Sequence, residues 1–353
     1  MDNKKHVLVV GNGFDLAIGR KTSYWDFFQS GYCPKKYPAP LISYLNKTLD
    51  NEHIRWYDLE TALQNYAIEA NKLGKGDESF FSDDEKKVIC SLKGIVFEPA
   101  ISNYHDLETG IENFDAIEKQ LIKKGVLYQD KWGVTQVPLE RDEIFMTCIE
   151  RDRVALKKIE EGLAAYLNSM DYKHPESTCL ADHIMRNALE NENSVIYMFN
   201  YTAIGSDVLK EDCFAEGYDK RIHHIHGSLK GNHIIIGAKD GDYGDYNFVQ
   251  KAFDPQFGST SLVRDLLDAD EVEIYGHSLG DCDSQYFMPF FLQQVQPTAK
   301  KKTIKIYTYD EKSRENIKSN IQKLTGNKLS WLYSMNDFNI FTQKDMDCML
   351  SVS

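Results

Sequence analysis

Residues 6–11 read HVLVVG and hold an unbroken β-branched apolar run that stops at a glycine. A run so short and so uniformly apolar predicts a strand buried on both faces, as in a parallel sheet covered on both sides. Strand signals return after residue 190: SVIYMFN (194–200), RIHHIHG (221–227), HIIIG (233–237), EVEIYG (271–276) and TIKIYTY (303–309). Helical patterns STSLVRDLLDAD, DSQYFMPFFLQQV and KSRENIKSNIQKL separate several of them. Strands alternating with helices predict an α/β fold with a doubly wound, mainly parallel, Rossmann-like sheet.

Between these strands the character of the chain changes. PLISYLNKTL, YDLETALQNYAIEANKL, DDEKKVICSLKGI, RDEIFMTCIERDRVALKKIEEGLAAYLNSM and ESTCLADHIMRNALE place apolar residues at helical spacing. The expected organisation is one α/β core, residues 1–30 and 191–353, interrupted by a mainly helical insertion, 31–190. Ligands bind such sheets at the carboxyl ends of the strands, and the insertion is expected to cover part of that edge.

Polar or glycine-rich turns end one strand after another: Gly11-Asn12-Gly13-Phe14-Asp15, Asn200-Tyr201-Thr202, His226-Gly227-Ser228, and Gly276-His277-Ser278-Leu279-Gly280-Asp281. In a doubly wound sheet they converge on one crevice. Glycines after a first strand predict backbone amides approaching a phosphate, with a purely structural tight turn as the other reading. The dinucleotide fingerprint G-x-G-x-x-G fails at Leu16, and no acidic residue follows at the spacing a ribose requires, which argues against an ordinary Rossmann dehydrogenase. Asn200 can donate and accept at once, suiting it to ribose hydroxyls or to orienting a water; closing its own turn is the plainer role. His224 and His226 share a strand face, but no zinc-like partner follows, so no metal is expected. His226, nearer the strand end, is placed either as a general base or as a core histidine. The acidic loop 239–247 lacks the calcium-loop register.

Gly276-His277-Ser278-Leu279-Gly280 spells the G-x-S-x-G nucleophile elbow. An elbow triad needs an acid and then a histidine downstream of the serine, yet none of the ten histidines follows Ser278. Asp281 and Asp283 predict a capped helix start. Ser278 is therefore expected to contact a ligand, a serine hydrolase being the weaker alternative.

A net charge of −13 repels phosphate backbones and disfavours bulk nucleic-acid binding. Seven scattered cysteines with no C-x-x-C fit neither a disulfide framework nor a zinc ribbon, and suit reducing cytosol. The chain enters its first strand without a long apolar segment, and no stretch approaches the roughly 18 apolar residues of a membrane span. A cytoplasmic location without membrane association is expected.

The blocks VVGNGFDLAIGRKTSYWDF, WYDLE, FNYT, HIHGSL and YGHSLGDCD resemble, in this order, the signatures of the AbiH bacteriophage abortive-infection family. That family is similar, more distantly, to sirtuin-like NAD-binding proteins. The resemblance implies a phage-defence effector with NAD as substrate or ligand, Asn200 and His226 as catalytic residues, and Gly11, Gly13 and Ser278 lining the cofactor. Asn12, Phe14, Tyr201, Gly227, Gly276 and Asp281 lie in the same blocks and are expected to line it too. Asp15 would stabilise developing positive charge or cap the first helix. Glu60, on the insertion, would reach the crevice or sit as a solvated helical glutamate. The sirtuin-like zinc quartet has no counterpart here, which argues against protein deacylation. A nucleotide-sensing module without turnover is the alternative, and a phage-derived trigger and self-association are expected partners.

Overall fold

A computed structural model of the protein describes residues 4–51, 58–74, 82, 84, 85, 87, 88, 113–124, 127–129, 135–136, 141–170, 180–202 and 218–345. The chain packs as two compact units. One comprises Met1–Phe27, Ala164–Ile235 and Asp254–Ser353; the other comprises Phe28–Leu163 and Ile236–Phe253. Relative to an insertion at 31–190, residues 164–190 group with the sheet and 236–253 group with the helices.

The first unit holds strands β1 (His6–Val10), β2 (Ser194–Met198), β3 (Ile222–His224), β4 (Glu271–Tyr275), β5 (Thr303–Thr308) and β6 (Asp337–Thr342). They form one six-stranded sheet in the order β6-β5-β4-β1-β2-β3, every neighbouring pair parallel. The chain steps outward from β1 through β2 and β3, then returns to the other side of β1 for β4, β5 and β6. Winding direction reverses between β1 and β4, the position where doubly wound sheets place their ligand crevice.

Strand β1 explains the layering. Val7 and Val9 join a core with the helices Leu262–Asp268, Ser284–Gln294 and Glu311–Leu324, whereas Leu8 and Val10 join one with the helix Leu180–Glu190. Helices therefore cover both faces, and a strand between them has no reason to carry polar residues.

Two strand expectations need correction. HIIIG contributes only His233–Ile234, antiparallel to Gly227–Ser228 in a separate hairpin. The sixth sheet strand is DFNIFT, where buried Phe338, Ile340 and Thr342 alternate with exposed Asp337 and Asn339. An edge strand alternates instead of running apolar, so a search for continuous runs passes over it.

In the second unit a buried carboxylate ties several elements together. Asp152 accepts from Leu41 N at 2.8 Å, Tyr66 Oη at 2.5 Å and Tyr246 Oη at 3.0 Å. Burial pushes its carboxyl up to about 7, against the pull of these donors. An unfolded aspartate titrates near ~3.9. Between that value and about 7, folding takes up a proton, and the contribution to stability falls by a few kcal/mol as pH rises across the window. Asparagine keeps an acceptor for the Leu41 N–H, and its NH2, in the place of Oδ2, can donate to the Tyr66 and Tyr246 oxygens. Asp152→Asn is thus expected to lose less thermal stability than wild type between pH 4 and 7, followed by melting at stepped pH. Equal slopes would contradict this account.

Candidate functional site

The first turn of the site begins with a buried aspartate. β1 leads into the short helix Gly13–Ala17, whose Asp15 is 1% exposed. Its Oδ1 accepts from Arg20 Nη1 at 2.9 Å, and its Oδ2 accepts from Asn200 Nδ2 at 3.0 Å and Thr202 Oγ1 at 2.6 Å. A cation and two neutral donors thereby offset the cost of burying the charge.

This arrangement fixes Asn200. An ionised carboxylate only accepts, so the amide nitrogen must face Asp15 and the amide oxygen must point elsewhere. Asn200 is 4% exposed, and its Oδ1 has no hydrogen-bond partner among the described residues. A buried unsatisfied acceptor costs ~1–3 kcal/mol, which a ligand hydroxyl or a water would relieve. His224 Nδ1 lies 3.2 Å from the Asn200 carbonyl oxygen, and burial holds its pKa below the ordinary histidine value. A carbonyl only accepts, so Nδ1 is the donor.

His226 follows β3 and is buried. Its Nε2 lies 3.3 Å from Asp283 Oδ1, an ion-pair distance without hydrogen-bond alignment. The other carboxylate oxygen of Asp283 lies 3.3 Å from His277 Nε2. His277 Nδ1 accepts the Leu279 N–H at 3.0 Å, which assigns the ring proton to Nε2. A ring held in that tautomer is a donor at Nε2 and does not ligate a cation there. Among the described residues, no group of three or more His, Cys, Asp or Glu is arranged to hold a metal.

The two glycine turns pack directly on each other. Gly11 N donates to Tyr275 O at 2.9 Å and Gly13 N donates to Gly276 O at 2.9 Å. The expected approach of these two amides to a phosphate is therefore corrected: both are committed within the chain, and the structural reading of the turn accounts for them. A Cβ at Gly13 would lie 2.6 Å from Gly276 Cα, so both chains must be glycine to come this close.

Most of the expected residues occupy the carboxyl ends of β1 to β4, yet several have internal tasks. Asn12 Oδ1 accepts from Thr22 Oγ1 at 2.6 Å, and Phe14, 2% exposed, packs edge-on against Tyr275. Tyr201 Oη donates to the Ile235 carbonyl at 3.1 Å. Gly227, at φ 76°, turns the chain into the hairpin with His233–Ile234. Ser278 is exposed; its hydroxyl accepts from Gly280 N at 3.3 Å. Asp281 is exposed, and Asp283, at the N-cap of Ser284–Gln294, makes no side-chain capping hydrogen bond, which corrects the capped-helix reading for Asp283. The Asp283 carboxylate faces the histidines instead. Glu60 belongs to the helical unit and pairs with the buried Lys251 Nζ at 2.8 Å, so it is not a solvated glutamate.

Arg20, His277 and Asp283 escape the sequence reading. His277 lies inside the quoted G-x-S-x-G, where attention falls on the serine, and Asp283 passes as a cap.

The model of a family described as Bacteriophage abortive infection AbiH matches residues 7–308, a span that contains every site residue above. No curated protein matches, and no solved structure matches. Among the described residues, no helix is long and apolar enough to cross a membrane.

Proposed function

The chain belongs to the bacteriophage abortive infection AbiH family, and from that premise we propose that it is a phage-defence effector that binds NAD at the carboxyl edge of its sheet and hydrolyses it to nicotinamide and ADP-ribose. One observation carries the reading: the buried Asn200 Oδ1, turned away from Asp15 and lacking a donor, at the edge that also presents His226. Ribose hydroxyls are donors of the right kind for that oxygen. Breaking the nicotinamide–ribose bond passes through an oxocarbenium-like state, as glycoside cleavage does, and the pyridinium leaving group needs no strong acid. What remains for the protein is to orient the ribose, the part of Asn200, and to accept a proton from water or a ribose hydroxyl, the part of His226. Activation by a phage-derived trigger and self-association belong to the same proposal, as does a cytoplasmic site of action.

The test is nicotinamide release from NAD by purified protein, paired with cellular NAD measured with and without phage. His226→Ala is expected to slow release at least ~10²-fold, and Asn200→Ala to raise KM as well as lower kcat. Full activity in both variants overturns the assignment.

A second reading, binding of NAD or ADP-ribose without turnover, is favoured by the Asp15–Arg20 pair at 2.9 Å. A carboxylate already neutralised by a guanidinium gives little stabilisation to a developing cation. Titration showing NAD binding, together with constant NAD in infected cells, would decide for it.

A further inference from the structure

The geometry points to Asp283 as a positioning residue: we propose that its carboxylate, anchored at Oδ2 by His277, orients His226 from Oδ1 and sets which ring nitrogen of His226 holds the proton. The proposal deepens the reading of His226 as the proton acceptor and rests on it for its catalytic consequence.

Three observations combine. The first is the chain of contacts itself: Leu279 N–H to His277 Nδ1 at 3.0 Å, His277 Nε2 to Asp283 Oδ2 at 3.3 Å, and Asp283 Oδ1 to His226 Nε2 at 3.3 Å. It starts from a backbone donor, whose direction cannot change, so the His277 tautomer is fixed with its N–H at Nε2, the nitrogen nearest Asp283. The second is burial. His226 and His277 are 3% and 6% exposed, and the Phe199 ring stands edge-on to both at 5.3 and 4.4 Å. Apolar walls of this kind lower the local dielectric and strengthen the pull of a carboxylate on a neighbouring N–H. The third is the backbone. Asp283 immediately precedes the helix Ser284–Gln294 without capping it through its side chain, and the helix start holds its carboxylate beside both histidines.

The chemical consequence follows from the imidazole ring. A carboxylate beside Nε2 favours the proton at Nε2, which leaves the lone pair of the neutral ring at Nδ1. When His226 takes a proton from water or a ribose hydroxyl at Nδ1, the ring becomes a cation, and Asp283 stabilises it without taking the proton. This is the orienting logic of an acid–histidine pair, in which a wrong tautomer costs turnover far more than binding.

The experiment uses the full chain with its histidine rings labelled with ¹⁵N, comparing wild type, Asp283→Asn, Asp283→Glu and His277→Gln. His226 resonances are identified by their loss in His226→Ala, and folding is checked by circular dichroism. Asp283→Asn is expected to move the His226 ring away from the Nε2–H tautomer. It should also lower kcat for nicotinamide release about 10²-fold with KM within about two-fold, and Asp283→Glu should restore part of both. Should Asp283→Asn fail to fold, His277→Gln reads the same relay one step back and is expected to shift His226 in the same direction by less. Unchanged His226 resonances in a folded variant overturn the proposal. If wild type proves to have no NAD turnover, the NAD reading fails by itself, because the ring resonances report on Asp283 whether or not substrate is cleaved.

Discussion

Gly276→Ala is expected to destabilise the sheet unit by about 2–5 kcal/mol. Gly276 sits at φ 64°, where a residue with a Cβ is disfavoured by roughly 1–2 kcal/mol. The added Cβ would also lie 2.6 Å from Gly13 C, Gly13 Cα and Phe14 N, all of them backbone atoms. None can swing aside as a side chain would, because Gly13 N is bonded to Gly276 O and Gly11 N to Tyr275 O, each at 2.9 Å. Relief requires β1 and β4 to separate at their carboxyl ends, and overpacking of this kind costs about 1–3 kcal/mol more. Gly31→Ala, whose Cβ meets nothing within 4 Å, is the control and is expected to stay within ~0.5 kcal/mol of wild type. Denaturant unfolding measures both. A Gly276→Ala protein as stable as the control would mean that the two turns do not touch as described.

That same contact marks how far the sequence can be read. Strands β1 and β2 are legible as apolar runs buried on both faces, β4 and β5 by the buried Val272, Ile274, Ile304 and Ile306 that recur along them, and the alternation of all four with helices predicts the parallel α/β sheet correctly. β6 is not legible by that rule, since an edge strand keeps Asp337 and Asn339 in water. Strand-end polar residues draw attention to Asn200 and His226 for a sound reason: the sheet gathers carboxyl ends on one edge. What each side chain does there depends on partners far away in the chain. Gly11 and Gly13 read as phosphate-facing amides, and only the arrival of β4 shows them bonded to Tyr275 and Gly276. The letters G-x-S-x-G match an elbow, yet the chemistry of that turn lies in His277, which is buried, while Ser278 is exposed. Asp283 at a helix start is statistically a cap. Its task becomes visible only once His226 and His277 are brought to its two oxygens. Likewise, nothing local to 236–253 indicates that it groups with the helices.

Asp15→Ala is expected to cost about 3–5 kcal/mol, as removal of one member of a buried ion pair does. The Arg20 guanidinium, with 8% of its side chain exposed, loses the carboxylate it faces, and Asn200 Nδ2 and Thr202 Oγ1 lose their shared acceptor. Most of that cost reflects groups left behind and little of it the net worth of the pair, which a second variant distinguishes. In Asp15→Leu/Arg20→Met both charges are gone, and part of the stability is expected to return, giving a favourable coupling in a double-mutant cycle. The functional effect should not return with it. Without an obligate acceptor at position 15, nothing decides which end of the Asn200 amide faces inward, and Oδ1 is no longer presented to a ligand. The double variant is therefore expected to unfold nearer to wild type while binding NAD as weakly as Asp15→Ala, measured by calorimetric titration. Recovery of both properties together would mean that Asp15 serves only to balance Arg20; recovery of stability alone assigns it the orientation of Asn200, whose buried Oδ1 is the acceptor proposed for a ribose.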